Sequence, residues 1–299
     1  MPASRQAISS THERRPDQLR AAWFRARRRL GRLGWTIVAA IVVPFFAAPL
    51  VWMLAASLKQ DAQVFSIPIQ WIPHPFEWGN IRATLDVFPF VSLLINTVII
   101  TFAVIIGTVA SSALVGFGLS RIEWPGRNIV FYIVLATMIL PTYVTIIPLF
   151  ALFSRVGWVD TFYPLIVPSF FGANGFSIFL VRQFLMRQPQ ELYDAARVDG
   201  AGFAYQFWAI CVPLATPALA VVGLFAFIWT WTDFFLPLVY LTTPSKFTLM
   251  LGLQYLHGQH ATLWPQLMLA NSLIVLPVMI VFLFAQRTFV QGIHLTGIR

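Results

Sequence analysis

Val91–Ser120 reads VSLLINTVIITFAVIIGTVASSALVGFGLS and contains no Asp, Glu, Lys or Arg. A helix of about 20 apolar residues crosses a hydrocarbon layer roughly 30 Å thick, and this run is longer. Leu33–Leu58, Ile129–Ser154, Thr161–Val181, Phe203–Thr232 and Phe247–Gln286 are equally free of charge. Over the whole chain 58% of residues are hydrophobic and 10% charged, against about 25% charged in a soluble domain. These runs exclude a water-soluble fold. A membrane barrel would show alternating segments of about 10 residues instead. The fold class expected is an all-α polytopic membrane protein with six transmembrane helices, at about 35–57, 91–119, 129–153, 161–181, 213–241 and 265–287.

Charge orients these spans. Nine arginines precede the first, and with the N-terminus inside they join Arg121, Arg127, Arg182, Arg187, Arg197, Arg287 and Arg299 to make 16 inner cations. Only Lys59, Arg82, Arg155 and Lys246 then lie outside. By the positive-inside rule both termini face the cytosol. The net charge of +9 is therefore a topology signal and not a nucleic-acid footprint. Residues 1–34 form a basic tail, either partly disordered or an interfacial helix against anionic lipid. Residues 35–299 form one membrane domain without internal repeats. The single cysteine, Cys211, permits no internal disulfide and falls in a predicted cytosolic turn.

Several spans carry interruptions. Pro141 and Pro148 bend the third. Gly172-Ala173-Asn174-Gly175 breaks the fourth, which suits a backbone lining a cavity or one packed closely by a neighbour. Neutral polar residues available to a translocation path are Asn96, Thr97, Asn174, Gln254 and Asn271. Asp233, flanked by Trp229 and Trp231, lies 20 residues beyond Pro213, about 30 Å of helix, near the outer end of span five. It reads either as a gate or substrate contact or as an interfacial acid. His257 and His260 lack companion ligands and read as outer-loop residues, so no metal site is expected.

Between spans four and five the sequence runs Pro189-Gln190-Glu191-Leu192-Tyr193-Asp194-Ala195-Ala196-Arg197-Val198-Asp199-Gly200-Ala201 and on to Ile210-Cys211-Val212-Pro213. Pro189 precedes a helix start, and Glu191 and Asp194 in the first turn complement its dipole. Ala195 and Ala196 let another protein approach closely, and Gly200 permits a sharp turn.

This segment, 189–212, resembles the EAA loop of ABC importer permeases: Glu-Ala-Ala, three residues, Gly, nine residues, Ile, one residue, Leu, Pro. Here Asp194, Ala195, Ala196, Gly200, Ile210, Val212 and Pro213 occupy the pattern, with Asp for Glu and Val for Leu. The resemblance implies a cytosolic coupling helix between helices four and five that seats in a separate ATPase subunit. Glu191, Asp194, Ala195, Ala196, Asp199, Gly200, Ile210 and Pro213 would form the coupling set. No Gly-x-x-x-x-Gly-Lys-Ser/Thr run is present, so no cofactor is expected in this chain, and ATP and Mg would be bound by the partner. The chain itself is not expected to be an enzyme.

The match extends over nearly all of the chain beyond the basic tail. Phe117-Gly118-Leu119-Ser120-Arg121 through Gly126-Arg127, Phe179–Phe184, Trp231–Leu238, Gln286–Gly292 and the ending Thr296-Gly297-Ile298-Arg299 are similar to the maltose-type carbohydrate class. That class implies a six-span member of a permease pair in a prokaryotic cytoplasmic (inner) membrane. Its implied partners are a second permease, two cytosolic ATPase subunits and an extracytoplasmic substrate-binding protein. The expected cargo is a sugar, with Asn96, Asn174, Trp229, Asp233 and Asn271 as translocation-path candidates. A glycerol phosphate, amino acid or peptide is the alternative cargo, and for an anion Arg82 and Arg155 are the candidate cations. A non-transport membrane scaffold is the reading from another class. Ion-coupled transport is disfavoured because the spans lack carboxylates.

Overall fold

The computed structural model describes residues 14–257 and 262–294. His260, the first thirteen residues and the closing Thr296–Arg299 fall outside the described residues. The chain divides into two compact units, Met1–Ala55 and Ala56–Arg299.

The described residues of the first unit form one helix. α1 runs Arg14–Ser57, 44 residues with Pro44 and Pro49 inside it, about 66 Å at the usual rise. Residues 14–34 of the basic tail thus continue the helix of the first span.

The second unit is built on α2 (Gly79–Val87), α3 (Phe90–Ser120), α4 (Arg127–Thr137), α5 (Thr142–Arg155), α6 (Gly175–Met186), α7 (Glu191–Val198), α8 (Val212–Trp231) and α9 (Trp264–His294). By length and composition five described segments suffice to cross a membrane: Trp35–Ser57, Phe90–Ser120, Tyr163–Met186, Phe203–Trp231 and Trp264–Gln286. The expected third span, 129–153, is instead two shorter apolar helices, α4 and α5. Pro141 is the reason. It caps α5 in an extended conformation, ψ 135°, it lacks an N–H to continue a helix, and it disfavours helical geometry at Leu140. Pro148, by contrast, sits inside α5 without ending it.

α3 is the centre of the unit and is inverted relative to a soluble helix. Ile95, Ile99, Phe102 and Ile106 are exposed, while Thr97, Thr101, Thr108, Ser111 and Ser112 are buried. Both sets follow helical spacing, so one face suits lipid and the other the protein interior. Among apolar tails no hydrophobic gain separates the faces; small residues and hydrogen bonds decide which packs inward. The hydroxyls of Thr97 and Ser112 donate to the carbonyls of Leu93 (2.8 Å) and Thr108 (2.5 Å), so burying them costs little. Gly116 lets Val181 of α6 approach so closely that a Cβ would lie 2.8 Å from its methyl.

Two clusters flank this helix. Phe88, Leu93, Trp231, Leu249, Leu251 and Ala270 pack at one end, where the Trp231 indole donates to Ile274 O (3.0 Å). Phe117, Val181, Leu185, Tyr193, Phe207 and Cys211 pack at the other.

The fourth span breaks where expected. A 3₁₀ turn Val167–Phe171 ends on Gly172 in the left-handed region, φ 71°. Asn174 then caps α6, its side chain accepting from Ser177 N at 2.9 Å. Span five departs from the expected 213–241. It is helical from Phe203 through a π-turn, Gln206–Cys211, and α8 ends at Trp231. The π-turn falls where Pro213 removes the N–H that would bond Ala209 O. Asp233 then starts a new helix, Phe235–Tyr240, by accepting from Phe235 N (2.9 Å) and Leu236 N (3.2 Å).

Candidate functional site

α7 is a two-turn helix held from one side. Its N-terminal turn carries Glu191 and Asp194, and its end is a paired C-cap: Gly200 N donates to Arg197 O (3.0 Å) and Ala201 N to Ala196 O (2.8 Å). That motif requires a left-handed residue beyond the helix, and Gly200 supplies it at φ 81°. Tyr193 is the inward anchor, fully buried against Phe117 and Phe207. Burial pushes its phenol up to about 12.

The outward face is open. Glu191, Asp194, Ala195, Asp199 and Gly200 are exposed and Ala196 is half-buried. The Asp194–Arg197 ion pair (3.5 Å) is also exposed, and such pairs contribute little. Two apolar side chains not singled out in the sequence, Leu192 and Val198, are exposed on the same helix. Their signal in the sequence is that of apolar residues in an otherwise polar segment. Ile210 and Pro213 belong elsewhere. They lie in the span helix and not in the loop, because helical structure resumes at Phe203. Cys211 likewise is no turn residue; it is buried in the π-turn.

The second feature is a cavity of about 410 Å³ between α3, the interrupted fourth span and α8. Thr97, Thr108, Ser169, Thr230 and Thr248 provide hydroxyls, and Asn174, Trp229 and Asp233 line it too. Three of the five path candidates therefore meet here. Asn96 and Asn271 do not: Asn96 donates to Ser245 O (2.8 Å) and Phe247 O (2.9 Å), and Asn271 to Leu267 O of its own helix (2.8 Å). Both side chains are bonded to backbone carbonyls outside the cavity lining. Trp229 stacks on Phe225, centroids 5.4 Å apart. No Lys, Arg or His lines the cavity among the described residues. Arg82 and Arg155 are exposed and lie outside its lining. No group of three or more metal-ligating side chains occurs among the described residues.

A third cluster closes the loop after span five. Asp160, at φ 60°, accepts from Thr242 N (3.0 Å), Thr243 N (2.9 Å), the Thr243 hydroxyl (2.6 Å) and Lys246 Nζ (2.9 Å). The Thr243 hydroxyl and amide, then Lys246 and Thr242, hold this carboxyl well below the usual range. A depressed native value stabilises the clasp above the unfolded value, about 3.9, and the contribution fades as pH falls from there through the native value. The protection factors of the Thr242 and Thr243 amides, taken relative to intrinsic exchange at each pH, should therefore hold from about pH 5 upward and fall in more acid buffer. In Asp160→Asn this pH dependence of protection should be absent, as read by hydrogen exchange.

Residues 103–295 match the family described as the binding-protein-dependent transport system inner membrane component. The chain belongs to this family. Among its relatives is the sn-glycerol-3-phosphate transport system permease protein UgpE of Yersinia pestis bv. Antiqua, 33% identical over 261 residues that cover 85% of this chain and 90% of the relative. The fold resembles a solved bacterial ABC transporter involved in the import of the acidic polysaccharide alginate, with TM-score 0.74 at 22% identity, covering 88% of this chain and 97% of that one. A second solved structure, a bacterial alginate ABC transporter in complex with an alginate pentasaccharide-bound periplasmic protein, aligns with TM-score 0.61 at 16% identity, over 90% and 94% of the two chains. As a family member the chain is an ABC importer permease of the inner membrane that works with a binding protein, and it is a transport component, not an enzyme.

Proposed function

We propose that this permease carries a neutral sugar, as one half of a heterodimeric path, and is driven through α7 by a separate ATPase. The observation that supports the cargo reading is the chemistry of the cavity: hydroxyls, an amide, an indole face and one carboxylate, with no cation. Sugars are recognised by hydrogen bonds and aromatic faces. A phosphate calls for Arg or Lys to pair with its charge, and Asp233 would repel it. The name of UgpE favours a glycerol phosphate as second reading, since that relative is 33% identical.

Supporting the coupling role are the Asp194–Ala196, Gly200 spacing and the open acidic and apolar face of α7. In this reading one of two ATPase subunits grips Glu191, Asp194, Ala195, Ala196, Asp199 and Gly200. ATP and Mg are bound by those subunits, and this chain holds no cofactor. Both termini face the cytosol, and the cavity opens in turn to an extracytoplasmic binding protein and to the cell interior.

The cargo test is a thermal-shift screen of the binding protein that docks on this permease, with maltose, glucose, sn-glycerol-3-phosphate and an amino-acid mixture as probes. Stabilisation by a neutral sugar is expected, followed by ATP-dependent uptake of that sugar in proteoliposomes. A response to sn-glycerol-3-phosphate without any sugar response would overturn the neutral-sugar reading.

A further inference from the structure

Arg121 follows the last residue of α3 and is only 5% exposed. Its guanidinium reaches three other pieces of chain. Nη2 donates to Leu185 O, in the last turn of α6, and to Gln188 O just beyond that helix (2.9 Å). Nη1 donates to Gln190 Oε1 (2.6 Å), and the cation lies 4.5 Å from the centre of the Tyr193 ring. Gln190 caps α7, and its amide also donates to Asp194 (3.2 Å). From the other side Arg197 of α7 donates to the carbonyl of Arg121 itself (3.4 Å). The C-terminal ends of α3 and α6 and the base of α7 are thus fastened at one residue.

Stability alone does not account for this choice. A buried charge brings a desolvation cost that apolar packing of similar volume avoids, so a buried ion is weak evidence of stabilisation. What the guanidinium offers is a planar fork that fixes several acceptors at once. The far ends of the fastened helices matter too. α3 carries Thr97 and Thr108, and α6 begins after Asn174; all three residues line the cavity.

We propose that Arg121 is the positioning residue that passes displacement of α7 to the two cavity-lining helices, α3 and α6. The proposal rests on the reading of α7 as the ATPase-receiving helix. A push on α7 then moves Gln190 and Tyr193, and through the fork the helix ends, as one body. Arg182 is a lesser neighbour: it donates to Leu119 O (3.2 Å) and sits over Phe131 (3.8 Å) but touches no part of α7.

The test uses the complete transporter in nanodiscs, with Ala173→Cys in the exposed cavity wall and native Cys211 left buried. N-ethylmaleimide labelling is timed with and without ATP–vanadate. In the Arg121 parent the rate should change about fivefold or more, a usual size for coupling between sites. In Arg121→Met the two rates should converge, per assembled complex, with ATPase subunits still bound. Arg121→Lys keeps the charge without the fork and should recover only a minor part of the change. An undiminished change in either variant would overturn the proposal; a purely structural residue would lower the yield of complex and leave the ratio intact. Should Arg121→Met fail to accumulate, Gln190→Ala and Arg121→Lys decide the question by the same ratio. No change in the parent, with ATPase bound, would instead defeat the coupling reading beneath it.

Discussion

Gly200→Val is expected to lower uptake at least about tenfold, the equivalent of 1.4 kcal/mol, while the permease still inserts into the membrane. Gly200 closes α7 at φ 81°, where a β-branched residue is a genuine outlier. Holding a non-glycine residue there costs about 1–2 kcal/mol. The alternative is to give up the C-cap bonds from Gly200 and Ala201. No atom lies within 4 Å of a Cβ built at this position, so the change creates no clash within the chain. Its effect falls on the backbone of the loop and on whatever approaches the exposed face. Gly200→Asn is the informative comparison, because Asn tolerates the left-handed region but adds bulk. If both variants lose uptake and ATPase binding, contact bulk matters. If only valine does, the C-cap matters. Full uptake by both, at equal expression, would contradict the assignment of α7 as the coupling helix.

Gly107→Leu is expected to be the more disruptive change for assembly. A Cβ there would lie 2.2 Å from Ser169 Oγ and 2.7 Å from Phe170 Cδ2. The serine hydroxyl can rotate, but the segment carrying it is tied to α3, since Ser111 donates to Ser169 O (2.8 Å). Leucine must therefore push the Val167–Phe171 turn away from α3, at a cost of about 1–3 kcal/mol. Ser169 moves with it, and so the cavity wall opens. Expected results are a lower midpoint in a detergent melting assay and loss of uptake. Gly223→Ala serves as control: its Cβ would meet only Val109 and Ile105, at 3.6 and 3.8 Å, ordinary contact distances. Equal melting of the leucine and control proteins would contradict the close approach of turn and helix.

Much of this architecture is legible because a bilayer leaves few solutions. Backbone groups in hydrocarbon must be bonded internally, so long charge-free runs mean helices. The runs therefore locate every apolar segment, and Gly172 and Asn174 mark the real break in the fourth. The inverted face of α3 is not legible as such, because Thr97 and Ser112 count as near neutral in hydropathy, and only their bonds to carbonyls make burial cheap. Pro141 reads as a bend in the sequence. Its extended cap geometry makes it an end. Asp233 reads as the edge of a continuous span, but its side chain caps a new helix and so terminates the old one.

The site divides in the same way. α7 is readable because its cues are local: acids first, small residues next, a glycine last. Asn174, Trp229 and Asp233 stand out by residue type alone and do meet in one cavity. Asn96 and Asn271 stand out on the same ground and do not, since type cannot say which polar group is already bonded. Arg121 is legible as part of the inner-loop motif but not as a buried anchor, and Asp160 carries no signal beyond its charge. Their partners lie 64 to 69 and 82 to 86 residues away in sequence, and only the fold brings them together.

The most direct test of the permease as an ATP-coupled subunit is photo-cross-linking from α7. Leu192, 46% exposed beside the buried Tyr193 anchor, is replaced by benzoylphenylalanine in the intact transporter and irradiated in native membranes. The expected product is a covalent adduct with an ATPase subunit whose yield changes when ATP–vanadate is added. Adducts with lipid alone, and none with an ATPase subunit in membranes that contain it, would contradict the coupling role.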